Sequence, residues 1–145
     1  MPNKPVNKRE LIFLKFGGKC AYCGDPIHNM RIAQKGIERM ELEHVVPKER
    51  FKKCIETGNV PWFLKHLKVT DVNHHTNLFP SCRTCNRYKS TFLLEDFRKE
   101  LSLQVERAKN DSFNFRMALR YKQIVIKPKP IVFYFENFGD YKPKK

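Results

Sequence analysis

The chain predicts a mixed α+β fold on three observations: helix-spaced apolar residues towards both ends, one short alternating stretch, and two widely separated Cys-x-x-Cys pairs. Near the N-terminus, Asn7 followed by Glu10 reads as a helix cap. Leu11, Ile12, Leu14 and Phe16 supply the apolar face, and Gly17-Gly18 stops the helix. "CAYCGD" (20–25) reads as a tight knuckle, and "RMELEHVVP" (39–47) as a strand closed by Pro47. Residues 48–76 read as an irregular insertion with a short helix around "KERFKKCIE". Leu94, Phe97, Leu101, Val105 and Ala108 follow helical spacing, with Glu95 and Asp96 favourably placed in the first turn. "QIVIKPKPIVFYFENF" (123–138) reads as a β-hairpin turned at Pro-Lys-Pro. A length of 145 residues predicts a single domain over 1–145, with a motif core at about 20–90 and a C-terminal extension at 91–145.

Composition narrows the function classes. A chain that is 41% hydrophobic and 12% aromatic is not a disordered tail. It has no apolar run long enough to cross a bilayer, and "MPNKPVNKRE" lacks the features of a signal peptide, so a cytoplasmic protein is expected. Twenty-nine Lys and Arg against 15 Asp and Glu give a formal charge of +14. Charge of that size points to a polyanion as partner.

The cysteines carry the first chemistry. Cys20 and Cys23 form one pair, and Cys82 and Cys85 another. Two short chelating bites from distant segments suit one tetrahedral zinc ion per chain. The other readings are two disulfides or a redox pair. Disulfides belong to secreted chains, and nothing around either pair suggests a thioredoxin-like unit. A closed four-thiolate site has no open position, so this zinc would be structural. Cys54 is left over and reads as a buried thiol.

Glu43, His44, Asn77 and Asn86 lie at short sequence distances from the cysteine framework. Together the residues spell C-x-x-C … E-H-V-V-P … N-L-x-x-x-C-x-x-C-N-x-x-K, over Cys20 to Lys89. This pattern resembles the HNH endonuclease family, in its branch with a four-cysteine zinc site. The resemblance implies a ββα-metal core, flanked here by the N-terminal helix, the C-terminal helices and the C-terminal hairpin. It implies that His44 is the general base and that Glu43 and Asn86 are ligands of a catalytic Mg²⁺ or Mn²⁺. Asn77 matches the middle letter of the name, and its donor and acceptor could brace the loop that positions His44. The chain departs from the pattern in two places: Glu43 stands where Asp is usual, and the insertion before Asn77 is long.

Four further expectations complete the reading. Neighbouring strand residues face opposite sides, so Glu43 and His44 both reach a phosphate only if the strand bulges. His74 and His75 are assigned surface or structural roles. Arg83, Arg87 and Lys89 would face DNA phosphates, with Lys89 matching the closing lysine of the family. Residues 98–130 carry nine Lys and Arg against three acids and would widen that footprint. The resulting function is a metal-dependent DNA endonuclease or nicking enzyme acting on double-stranded DNA, with no membrane partner and a homodimer left open. The alternative is a zinc-stabilised nucleic-acid-binding protein whose nuclease site is vestigial.

Overall fold

The computed structural model describes residues 7–142. The chain divides into two compact units, one formed by Met1–Leu94 with Phe133–Lys145 and the other by Glu95–Val132.

The first unit opens with helix α1 (Lys8–Leu14), where the Asn7 side chain accepts from the Glu10 N–H at 2.8 Å. Gly17 and Gly18 follow at positive φ and end the helix where the sequence places its stop. The knuckle comes next, and its turn is closed by Gly24 N–H donating to the Cys20 carbonyl at 3.0 Å. Gly24 has φ +79°, and a Cβ there would lie 2.9 Å from the Tyr134 ring, so only glycine fits. Strands β1 (Ile27–His28) and β2 (Glu38–Arg39) form a short parallel pair. The central element is an antiparallel pair, β3 (Glu41–His44) and β4 (Leu78–Ser81). Between them lie α2 (Lys48–Thr57) and two 3₁₀ turns, Trp62–Leu64 and His75–Asn77. Helix α3 (Arg83–Lys89) leaves β4 directly, so two strands and a helix form one continuous motif.

Aromatic packing holds this unit together. Phe79 on β4 meets Phe16 edge-on with centroids 5.2 Å apart, Phe63 stacked at 5.9 Å and Phe135 at 4.8 Å. Phe16, Phe79, Phe133 and Phe135 are all buried, as are Val45, Val46, Phe51 and Cys54.

The expected C-terminal hairpin is absent. Residues 125–133 have no regular structure, and "YFEN" forms a 3₁₀ turn, Tyr134–Asn137. Pro128 and Pro130 remove two backbone donors that a hairpin ladder would need. The aromatic run is used differently: the N–H groups of Tyr134 and Phe135 donate to the carbonyls of Tyr22 and Ala21, at 3.0 and 2.8 Å. The segment therefore straps the knuckle and does not pair with itself.

The second unit consists of α4 from Glu95 onward (helix Leu94–Ser102), α5 (Gln104–Asp111) and α6 (Phe113–Arg120). The single helical run expected over 94–108 breaks at Leu103. There the Ser102 hydroxyl donates to the Lys99 carbonyl at 2.6 Å, a local bond that competes with helix continuation. Among the described residues no helix is long and apolar enough to cross a membrane.

Candidate metal centre and strand–helix site

The four cysteines converge. One ligand atom from each of Cys20, Cys23, Cys82 and Cys85 lies within 4.8 Å of the others, and the Cys23 and Cys82 sulfurs are 3.9 Å apart. Four sulfurs on a tetrahedron about 2.3 Å from a zinc ion would stand ~3.8 Å apart, so the cluster could hold such a metal. Both pairs use the same local device. The Asp25 N–H donates to the Cys23 sulfur at 3.4 Å and the Cys85 N–H to the Cys82 sulfur at 3.3 Å. These bonds stabilise thiolates and fix the sulfur directions. Hydrogen bonds from the other three thiols hold Cys20 far below the ordinary thiol range. The bond to Cys20 in turn pushes Cys82 and Cys85 up. Cys82 is also the N-cap of α3. Whatever the cluster holds is thereby tied to the start of that helix.

The strand β3 is regular. Its register runs Glu41↔Ser81, Leu42↔Pro80, Glu43↔Phe79, His44↔Leu78, without a bulge. Glu43 and His44 therefore point to opposite faces, contrary to the expectation that both approach one phosphate. Glu43 is 3% exposed, and both its oxygens are engaged. Oε1 accepts from Lys89 Nζ at 2.6 Å, and Oε2 accepts from the Tyr22 hydroxyl. Burial holds the Glu43 pKa above the usual carboxylate range, with the Lys89 charge opposing it. Burial likewise raises Tyr22 far above the usual phenol value and keeps it a donor. Glu43 is thus a buried partner and offers no free oxygen to a metal.

Lys89 requires the matching correction. It is wholly buried, and its ammonium donates to Glu43 and to the carbonyls of His44 and Val45, each at 3.0 Å. All three protons are used inside the protein, so none faces a phosphate. Arg83 and Arg87, by contrast, are exposed one turn apart on α3.

His44 is half-buried, with Nε2 2.9 Å from Asn73 Oδ1. An amide oxygen only accepts, so Nε2 carries the proton and Nδ1 keeps its lone pair. Burial lowers the pKa of the ring below its ordinary value, offset in part by the Asn73 bond. A neutral imidazole with an open Nδ1 is a proton acceptor near neutral pH.

Asn77 is fully buried and clamps the chain just after His44. Its Oδ1 accepts from the Val46 N–H at 2.9 Å, and its Nδ2 donates to the carbonyls of Val46 and Val72 at 3.2 and 2.9 Å. Its own carbonyl accepts from the Val45 N–H at 2.9 Å. Asn86, half-buried on α3, donates to a Glu41 carboxylate oxygen at 2.5 Å. The structure therefore joins Asn86 to Glu41, not to Glu43. His74 accepts from the Thr76 N–H at 3.2 Å and stacks on His75 at 4.4 Å, so the two rings shape the turn before Asn77.

No protein-family profile, curated protein or solved structure matches this chain.

Three contributors escaped the sequence reading. Glu41 had a signal: it lies two residues from Glu43 and shares its strand face. Tyr22 sat within the knuckle, where an aromatic reads only as packing. Asn73 lay in a polar loop with nothing to distinguish it. Among the described residues, the cysteines are the one group of three or more His, Cys, Asp or Glu placed to hold a metal ion.

Proposed function

We propose that this chain is a metal-dependent DNA endonuclease or nicking enzyme of the HNH type, with His44 as general base and zinc in the cysteine cluster. The observation that carries the reading is the hydrogen bond between His44 Nε2 and Asn73, which leaves Nδ1 free on a ring whose pKa burial lowers. The support around it is consistent. Asn77 and Lys89 together fix the backbone of residues 44–46, so the imidazole is held from behind. The neutral imidazole takes a proton from water at Nδ1, and the exposed Arg83 and Arg87 attract the phosphate backbone. Mg²⁺ or Mn²⁺, when bound, supplies neutralisation of phosphoryl charge, and Glu41 and Asn86 are the residues that would hold it.

One observation favours the alternative, a zinc-stabilised nucleic-acid binder: the expected ligand Glu43 is locked to Lys89 and Tyr22. Plasmid nicking separates the two. Supercoiled DNA should be relaxed by purified protein in Mg²⁺ or Mn²⁺ and left intact in EDTA. Binding without relaxation in either metal selects the alternative.

The zinc assignment has its own test. Elemental analysis should give about one zinc per chain, because four thiolates make a closed tetrahedral site. Cys82→Ser should lose the metal and lower the thermal midpoint, since structural zinc contributes folding free energy and this residue also caps α3. A stable wild-type protein without bound metal would remove zinc from the account.

A further inference from the structure

We propose that the second unit carries a binding surface for single-stranded nucleic acid, built from α6 and the irregular segment that follows it. The inference rests on nucleic acid being the substrate of the chain.

Charge in this unit is sharply polarised. Residues 95–111 contain four Lys and Arg against five acids, whereas 112–132 contain five Lys and Arg and no acid. In the first half, Arg98 is paired with Glu95 at 2.9 Å and Arg107 with Glu100 at 2.7 Å. Those guanidiniums are occupied, so the broad footprint expected over 98–130 contracts to its second half. There Arg116, Arg120, Lys122, Lys127 and Lys129 are all exposed, and although Arg116 donates to the carbonyls of Lys109 and Asn110 at 2.8 and 3.1 Å, no carboxylate neutralises its charge. A stretch with no acid of its own attracts a phosphate backbone along its whole length.

The second observation is aromatic. Phe113 is 65% exposed and Tyr121 71%, although large aromatic rings normally dominate cores. They bracket α6, one at its first position and the other just past its end. Helical spacing puts Phe113, Arg116 and Arg120 on one stripe, because residues three and seven apart share a face. A ring among arginines is poorly suited to an apolar protein partner and well suited to a base. Duplex DNA hides base faces in its stack, whereas an unpaired strand presents them, and base–aromatic stacking tolerates any sequence. Beyond α6, Lys122 adopts φ +57° and turns the chain into the irregular, proline-punctuated run 125–132, where Lys127 and Lys129 can follow the same backbone.

The test is fluorescence anisotropy of the full-length protein with a labelled single-stranded oligonucleotide and with a duplex of equal length. Binding to the single strand should be tighter, with a log–log salt slope near ~3.5 if all five cations are engaged. Phe113→Leu with Tyr121→Leu keeps apolar bulk but removes the flat faces. It should weaken single-strand binding roughly 10- to 100-fold and change duplex binding little. Arg116→Glu with Arg120→Glu should lower the salt slope by about 1.4. Both pairs are exposed, so circular dichroism should report an unchanged fold. Unaltered single-strand affinity in the leucine pair, or equal affinity for both nucleic acids, would overturn the proposal. The same variants assayed for nicking keep the two readings apart. Failure of the wild type to nick while the leucine pair loses single-strand binding rejects the nuclease and retains the surface. Nicking with unaltered single-strand binding does the reverse.

Discussion

Replacing Lys89 with methionine should destabilise the protein by about 3–5 kcal/mol, the usual cost of removing one member of a buried ion pair. The size follows from what is left behind. Glu43 would keep its Tyr22 bond but lose its only cation, at a position 3% exposed. The carbonyls of His44 and Val45 would each lose a donor as well. The pH dependence has a definite sign. Burial already raises the folded-state pKa of Glu43 above its unfolded value, and losing Lys89 raises it further. A carboxyl group with a raised folded pKa makes the folded state the better proton binder. The variant should therefore lose most stability at neutral pH and recover part of it as pH falls towards the carboxylate range. Urea denaturation at pH 5 and pH 7.5 measures both effects. Adding Glu43→Leu should restore much of the loss, because the stranded charge is then gone. A loss below about 1 kcal/mol at pH 7.5 would mean that Lys89 is not committed to the interior.

The second large effect concerns His44. His44→Ala should lower cleavage by a factor of ~10² to 10⁴, the range for loss of a general base. Zinc content, thermal stability and DNA affinity should stay near wild type, since a neutral half-buried ring adds no charge to the binding surface. In the wild type, the rate should fall on the acid side as the imidazole gains its proton. The midpoint should lie below the ordinary histidine value of ~6.5, because burial lowers the pKa. Asn73→Ala removes the bond that fixes the ring and should cost about tenfold in kcat, the worth of one hydrogen bond.

The parts of the molecule written in local chemistry were legible in the sequence. Asn7 caps α1, Gly17-Gly18 ends it, and the two Cys-x-x-Cys pairs meet as the spacing implied. These features depend on neighbours a few residues away, or on paired cysteines whose spacing already favours one shared ion. What stayed hidden depends on partners far along the chain. Lys89 reads as a surface cation in "CNRYK", and only the packing of α3 against β3 turns it inward to Glu43, 46 residues earlier. The C-terminal stretch 123–138 alternates like a hairpin, but its aromatic residues serve the knuckle more than 110 residues away. The strand around Glu43 was expected to bulge so that two polar groups could meet one phosphate. Period 2 puts Glu41 and Glu43 on one face and His44 on the other, but the packing of α3 onto the glutamate face, where Asn86 meets Glu41, is set by tertiary contacts that the alternation does not show.

That last correction gives the sharpest test of the whole account, single-turnover cleavage of a bound DNA duplex across a Mg²⁺ titration. Wild type, His44→Ala, Glu41→Gln and Glu43→Gln would be compared. Glu41→Gln should shift the half-saturating Mg²⁺ concentration upward and regain activity at high metal, because one hard oxygen ligand is lost. His44→Ala should remain slow at every Mg²⁺ concentration, because the missing function is proton acceptance. Glu43→Gln should lose stability before it loses metal response. Cleavage at the wild-type rate by a folded, DNA-bound His44→Ala protein would contradict the assignment of His44 as the base, and absence of cleavage by the wild type at any Mg²⁺ or Mn²⁺ concentration would contradict the nuclease itself.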